Sequence, residues 1–494
     1  MSLAHHLPAL QVIVPLVSAP IAVLARRGVF AFAVATLASW SAFALAVLLW
    51  LQVQELGIQS YPIGSWSPPW GIEYRIDEFS AFMLVLVSMV AALVLPYARA
   101  SIESEIPREK HYLFYAMFIL CLTGLLGIVA TGDAFNVFVF FEIAALSSYV
   151  LIALGRNRQA LVAAYQYLIM GTIGATFFVI GVGLLYLMTG TLNLADIHGR
   201  IAEIGDSRPV LTALAFITVG LSLKLALFPL HQWLPNAYCH APSAVSAFLA
   251  ATATKVSIYV LVRFYFSVFG EYIVFGGLGL PELMLWLSLA AMFVASAAAV
   301  LQKDLKKLLA YSSVAQIGYI TLGLSLDTVS GLTATIVHLF NHALTKGGMF
   351  MLVGAVVMVM GDSNMARMAG LSRTMPLTFL GIVLGGLSLI GVPGTAGFIS
   401  KWTLIRAAIE TGQLWLAFAI VMSSLIAVVY VWRFVEVAHF RAPEAETPAR
   451  RKLPVSMLVP AWLMIAGSIY FGLDSSLTLG AANDAARVLM EGGR

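Results

Sequence analysis

Apolar residues follow one another along this chain in runs of about twenty, separated by short polar stretches. A helix needs about 20 such residues to cross a bilayer. The runs fall at 8–25, 29–52, 78–98, 112–131, 134–154, 161–188, 210–235, 242–265, 283–301, 305–325, 330–360, 375–404, 413–436 and 453–472, which predicts about fourteen transmembrane helices. Barrel strands would alternate apolar and polar residues over about 10 positions, and these runs do not. The expected class is an all-α polytopic membrane protein. The polar stretches 99–111, 189–209 and 437–453 are each too short to fold alone, so no soluble domain is expected.

Composition sharpens that reading. Of 494 residues 61% are hydrophobic and 11% charged, against about 45–50% and 25% in ordinary globular chains. The net charge of +4 argues for no nucleic-acid role. Charge instead sets orientation, because short cytoplasmic loops are rich in Lys and Arg. Alternate loops carry Arg26 and Arg27; Arg99, Arg108 and Lys110; Arg156 and Arg158; Lys303, Lys306 and Lys307; Arg367 and Arg373; Arg441, Arg450, Arg451 and Lys452. With fourteen spans every basic loop falls on one side, and both termini are expected outside. The first run lacks a basic leader and reads as a retained anchor. Cys121 and Cys239 have no metal-cluster spacing, so no metal and no cofactor are expected in this chain.

Two spans carry helix breakers. LSLKLALFPLHQWLP (221–235) holds Phe228-Pro229, and GGLSLIGVPGTAGFISKW (385–402) holds Gly391, Pro393, Gly394 and Gly397. Each follows the phrase GLSL, on the seventh and twelfth spans. Five spans apart is an odd separation, so the two copies run in opposite directions. Paired broken helices of that kind point to inverted repeats around a mid-membrane site. The units expected are 1–110, 111–265 (spans 4–8), 283–437 (spans 9–13) and 453–494.

Five ionisable residues fall at membrane depth: Glu142, Lys224, Lys255, Lys346 and Lys401. Each Lys or Asp at a helix centre costs about 2.5–3.5 kcal/mol on insertion scales. At 1.5 Å per residue, Lys224 and Lys255 lie about 21 and 20 Å from the starts of their spans, too deep to reach a surface. Lys401 comes late in its span, where snorkelling is open to it. In HLFNHALTK, His338, His342 and Lys346 stack at i, i+4 and i+8 on one helix face. Imidazole exchanges protons near neutral pH, and burial eases proton release from Lys. With Glu142 as pairing acid, these groups have the chemistry of a proton relay. Glu142 and Lys224 would serve equally as a fixed ion pair. His231 reads as a cap or water contact or as relay support; Ser312 and Gln316 read as relay support or as plain interhelical bonds. Asp133 reads as a helix N-cap, FNVFVFF (135–141) as packing, and Lys306 and Lys307 as charges that set topology.

DAFNVFVFFEIAALSSYVLIALG, SLKLALFPLHQWLPNAY, APSAVSAFLAATATKVSIYVL, LKKLLAYSSVAQIGY, HLFNHALTKGGMF and GVPGTAGFISKW together resemble the antiporter-like subunits shared by complex I and multisubunit (Mrp-type) cation/proton antiporters. The resemblance covers roughly residues 80–440. It implies a fourteen-helix core with two inverted five-helix units broken at spans seven and twelve. It also implies proton-path roles for Glu142, Lys224, Lys255, His338, His342, Lys346 and Lys401. DAFNVFVFFEI and the chain length resemble the D-type members in the Mrp-type complexes, with a quinone-linked complex I subunit as the alternative. The implied setting is a bacterial cytoplasmic membrane. The implied partners are other membrane subunits, the lipid bilayer, protons and sodium. Lys224 precedes Pro229 by five residues while Lys401 follows Pro393 by eight, so strict symmetry between the two breaks is not expected.

Overall fold

The computed structural model describes residues 3–24, 26–276, 279–442 and 453–491. Arg450, Arg451 and Lys452 lie outside the described residues. The chain opens with α1 (Leu7–Leu24) and α2 (Gly28–Leu56), then a short antiparallel hairpin of β1 (Gln59–Pro62) and β2 (Glu73–Ile76). Next come α3 (Glu78–Glu105), α4 (His111–Ala130), α5 (Ala134–Ala153), α6 (Arg158–Thr189) and the short α7 (Leu194–Ile204). α8 (Arg208–Leu225) and α9 (Trp233–His240) are two halves of one span, and α10 (Ser243–Val262) extends through a π-helical stretch to Phe269. The second half contains α11 (Glu271–Gly276), α12 (Leu280–Ala290), α13 (Ser296–Leu301), α14 (Leu305–Ser325) and α15 (Val329–Met360). It continues with α16 (Leu371–Thr374), the paired halves α17 (Pro376–Ile390) and α18 (Ala396–Glu410), and α19 (Leu414–Val435). α20 (Val455–Leu473) and α21 (Ser476–Glu491) complete it.

Thirteen described helices are long and apolar enough to cross a membrane, α12 and α13 counting as one, and the shorter α17 is apolar too. Each of the fourteen expected spans has its helix. The differences lie in the polar stretches. Residues 194–204 form α7, whose Leu194, Ile197 and Ile201 turn inward, and span 3 runs on to Glu105. Polar residues there occupy one helix face rather than a loop.

Starts of helices are set by side-chain caps. Asp133 accepts from Asn136 N at 2.7 Å, Asn193 from Ala195 and Asp196 N at 3.1 Å, and Asp304 from Lys307 N at 2.9 Å, satisfying orphan donors. One backbone device occurs twice. Around Asp133 and Asn193, Ala134 N bonds Leu192 O at 2.8 Å and Leu194 N bonds Gly132 O at 2.9 Å. Around Asp304 and Asn364, Leu305 N bonds Ser363 O at 2.8 Å and Met365 N bonds Lys303 O at 2.9 Å. The two bridges sit at opposite ends of the bundle. One shares a cavity with Asp77 and Arg263, the other with Glu105 and Arg156, and α3 joins those ends.

Small residues bring the helices close, as expected where lipid leaves no hydrophobic drive between them. Ala31, Ala35, Ala38, Ala42 and Ala46 form one buried stripe on α2. Across α6 and α8, a Cβ on Gly220 would lie 2.6 Å from Gly174 O. α15 is the central post, buried from Gly331 to Val356 and packed against α10, α14, α18 and α20.

The breaks differ in detail from the sequence reading. α8 stops at Leu225, before Pro229, because Ala226 takes the left-handed conformation (φ +60°, ψ +44°). α17 stops at Ile390, where Gly391 does the same (φ +91°). A left-handed residue turns the chain off the helix axis and frees the last carbonyls. α18 then crosses α17 so tightly that a Cβ on Gly397 would lie 1.8 Å from Ser388 O. Gly397→Ala is expected to cost about 3 kcal/mol or more through overpacking against rigid backbone, read as a lower melting temperature in detergent. Gly480→Ala, with nothing within 4 Å of the added carbon, is the control and should not lower it, since alanine favours the helix over glycine.

Candidate functional site

Freed carbonyls at the two breaks are filled by different side chains. At the first, Trp233 on α9 reaches back and its Nε1 donates to Leu223 O at 2.9 Å, with the indole stacked 4.0 Å from Tyr167. At the second, Lys401 on α18 reaches back, and its Nζ donates to Leu389 O at 2.8 Å and Ile390 O at 3.0 Å. Lys401 is buried, 4.4 Å from the Tyr319 ring centre and 2.9 Å from Ser424 Oγ, so it does not snorkel. The unequal registers of the two lysines thus have a structural counterpart: indole at one break, ammonium at the other.

Lys224 ends α8 in a buried position. Its Nζ is 3.6 Å from Glu142 Oε1 on α5 and 5.3 Å from the Phe141 ring centre. Phe141, read from sequence as packing only, is therefore also one wall of the lysine's site. Glu142 is less buried than its apolar neighbours suggest, its side chain 29% exposed. Neither atom of the contact has a conventional hydrogen bond among the described residues, so the pair is loose. A cavity of about 20 Å³ lies beside Lys224, lined on the far side by Ala253 and Ser257 of α10. That is room for one water.

α10 carries Lys255, which is 1% exposed and bonds Ala250 O. On α15, Lys346 donates to Leu309 O at 2.9 Å and contacts Ser312 Oγ. His342, one turn away, has no partner for either ring nitrogen among the described residues. α10, which carries Lys255, packs along α15. His338 stacks 6.1 Å from His342, with Nε2 2.8 Å from Gln316 Oε1 and Nδ1 2.8 Å from Ser400 Oγ. The amide oxygen can only accept, so Nε2 is the protonated nitrogen and Ser400 donates to Nδ1. Gln316 Nε2 approaches Leu389 O at 3.5 Å, the carbonyl that Lys401 holds. Lys346, His342, His338 and Lys401 thus form one polar line through an apolar bundle, with Lys255 beside it.

Ser312 and Gln316 stand in this line. His231 stands apart, stacked on Phe228 at 5.3 Å and 6.4 Å from Tyr311. Sequence reasoning passed over Ser400, which no charge or breaker marked out; its position one turn after the buried N-terminus of α18 was the only signal. Lys306, expected from sequence as a loop charge that sets topology, is buried. It is 3% exposed, with Nζ 3.2 Å from Ala241 O and 3.9 Å from Glu105 Oε2, because α14 begins beneath the link between α9 and α10. No group of three or more His, Cys, Asp or Glu able to hold a metal occurs among the described residues.

A family described as NADH:quinone oxidoreductase/Mrp antiporter, transmembrane, matches residues 131–427. The N-type subunit of the NADH-quinone oxidoreductase of Desulforudis audaxviator is 42% identical across 95% of this chain and 96% of its own. The D-type subunit of the Na(+)/H(+) antiporter of Bacillus subtilis is 29% identical across 97% of this chain and 96% of its own. A chain in the solved Mrp complex from Dietzia sp. DQ12-45-1b superposes with a TM-score of 0.91 at 27% identity, over 100% of this chain and 98% of that one.

The first break gives a direct test of how its carbonyl is held. Trp233→Phe keeps a ring on Tyr167 but leaves Leu223 O with only the longer bond from Ala226 N at 3.3 Å, a loss of about 1 kcal/mol for the shorter bond. Thermal unfolding in detergent should show it; an unchanged midpoint would mean that the carbonyl does not need the indole.

Proposed function

Because the chain belongs to the NADH:quinone oxidoreductase/Mrp antiporter transmembrane family, we propose that it carries protons across a bacterial cytoplasmic membrane as one subunit of a multisubunit Na+/H+ antiporter. The observation that carries this reading is the polar line itself. Five cationic or imidazole side chains (Lys255, Lys346, His342, His338 and Lys401) lie buried along or beside one line inside a membrane bundle, and Lys224 with Glu142 stands one water-sized cavity away from α10. Burial of that many ionisable groups opposes insertion, so a role in moving charge is the economical account of them.

Protons enter at Glu142 and Lys224. The loose contact between them lets Lys224 exchange its counter-charge, and a lysine without its acid gives up its proton more readily. Water joins Lys224 to α10 and Lys255, and His342 to Lys346. His338 then hands protons by way of the Ser400 hydroxyl and water towards Lys401, while the Gln316 amide, which accepts from Nε2, orients the ring. Moving one charge across 100 mV is worth about 2.3 kcal/mol, so a modest potential can drive extrusion of a cation. The two bridging devices at opposite bundle ends and the paired breaks support two inverted units, residues 111–265 and 283–437. The positive-inside rule puts the end bearing Arg108, Arg156 and Lys303 in the cytoplasm and both termini outside. Sodium crosses in a partner subunit, since sodium prefers several oxygen ligands and the line offers mostly donors.

A second reading has its own support in the 42% identity to the N-type member of a quinone oxidoreductase over nearly the whole chain. There the same relay is driven by a redox centre in another subunit. Sodium-dependent exchange by the purified whole complex distinguishes them: the redox reading predicts proton flux that requires quinone and an electron donor.

Within the whole complex in vesicles, Lys224→Ala, Lys255→Ala, Lys346→Ala and Lys401→Ala are each expected to lower proton flux at least tenfold while the complex still assembles. Full flux in Lys224→Ala would overturn the relay. Glu142→Gln should slow flux, and an unchanged rate would make that pair structural only.

A further inference from the structure

Lys306 and Glu105 form a second buried lysine–glutamate contact resembling that of Lys224 and Glu142, with the difference that Lys306 also donates to Ala241 O at 3.2 Å and Glu105 also accepts from Ser101 Oγ at 2.8 Å. In each pair the lysine is buried (side chain 4% and 5% exposed), the glutamate partly open (18% and 29%), and the contact longer than a hydrogen bond, at 3.9 and 3.6 Å. The second pair lies at the basic end of the bundle, on the wall of a cavity of about 330 Å³ that also touches Ser104, Arg156, Asp304 and Ser363. This cavity is large enough for several waters. At the opposite end, the cavity of about 190 Å³ is closed by a tighter arrangement. There Arg263 binds Asp77, Ser80 Oγ at 2.9 Å and the Tyr259 hydroxyl at 3.0 Å.

From the basic-end cavity a path of polar groups leads inward. Glu105 accepts from Ser243 Oγ at 3.1 Å and from Ser243 N at 2.9 Å. Ser243 faces Gly354, where an added Cβ would lie 3.0 Å from the serine Oγ and 2.1 Å from the Tyr97 hydroxyl. The Tyr97 hydroxyl is fully buried and has no hydrogen-bond partner among the described residues. A buried hydroxyl without a partner calls for a bound water or a transferred proton. Gly354 is two turns from Lys346 on the same face of α15, with Phe350 between them, its ring 5.9 Å from Tyr238. On α14, Lys306 is one turn from Leu309, whose carbonyl holds Lys346. Both helices therefore lead from this pair to the same lysine.

We propose that Glu105 and Lys306 form a second proton-exchanging pair that takes protons from the basic-end cavity and delivers them past Tyr97 to Lys346. The proposal rests on the relay reading of the preceding subsection. The Glu105 carboxylate takes a proton from cavity water. Lys306, its counter-charge gone, gives its own proton to a file of water that runs past Ser243 to Tyr97, and the neutral amine retakes the proton from Glu105, which restores the pair. One proton moves inward and no other bond changes. The Phe350–Tyr238 contact is the apolar barrier that the proton passes last.

The test uses the whole complex in vesicles with the basic end facing the medium. Lys306→Arg keeps the charge and the reach to Ala241 O but holds its proton too firmly to exchange it. Proton flux is expected to fall at least tenfold with assembly and melting temperature unchanged; full flux would mean a structural charge and overturn the proposal. A second arm works on protein already folded. Ser104→Cys in a Cys239→Ser background is treated with a bulky, membrane-impermeant cationic thiol reagent from the cavity side. Flux is expected to drop at least fivefold, and undiminished flux after complete labelling overturns the inlet. Lys224→Ala, run alongside, separates the two failures. If it abolishes flux while Lys306→Arg and labelled Ser104→Cys do not lower it, the relay stands and the inlet falls. If none of the three lowers flux, both fall.

Discussion

An ammonium group buried among hydrocarbon must find oxygen, and the architecture follows from that need. Lys401, Lys346, Lys255 and Lys306 all bond backbone carbonyls. In an unbroken helix those carbonyls are already engaged within the helix, so the supply is short. Breaking α17 at Gly391 releases Leu389 and Ile390 O for Lys401, and the link before α10 leaves Ala241 O for Lys306. A break and a link thus supply oxygen to Lys401 and Lys306, while Lys346 and Lys255 share Leu309 O and Ala250 O with the unbroken α14 and α10. Both routes lower the cost of keeping cations inside an apolar bundle.

That arrangement needs rigid neighbours. A broken helix loses hydrogen bonds that an intact one keeps, and in lipid they must be recovered from adjacent segments. Close packing through Gly174 against Gly220 and Gly397 against Ser388 O holds the broken spans in register. Around them α15 runs unbroken for 32 residues and fixes His338, His342 and Lys346 in a row. A straight helix presents every fourth residue to one side, so this one element sets the spacing along the line.

Not every lysine is held in the same way, and the difference bears on chemistry. Lys401 and Lys346 are clasped by carbonyls and hydroxyls. Lys224 instead has no hydrogen bond among the described residues and stands 3.6 Å from a partly open carboxylate, and Lys306 combines the two, with Ala241 O at 3.2 Å and a carboxylate at 3.9 Å. A clasped ammonium is stabilised as a cation whatever its neighbours do, whereas a loosely paired one responds to the charge on its acid. The first kind suits a fixed station along a path, the second a point of exchange with water.

Much of this was legible in the order of residues. Twenty-residue apolar runs fix the spans because bilayer thickness sets their length, and i, i+4, i+8 spacing fixes the stacking of His338, His342 and Lys346 because helical geometry admits no other. The burial of Lys224 and Lys255 followed from their distance to the span ends. Sequence could not place Lys306, since a lysine at the start of α14 looks like any loop cation until the link between α9 and α10 covers it. Nor could it show that α8 ends at Leu225, because the alanine after it takes a conformation normally left to glycine, or that an indole fills one break and an ammonium the other. Local periodicity depends only on the chain itself; which carbonyl a side chain reaches, and whether a charge is covered, depends on segments far away in sequence, and only their packing decides it.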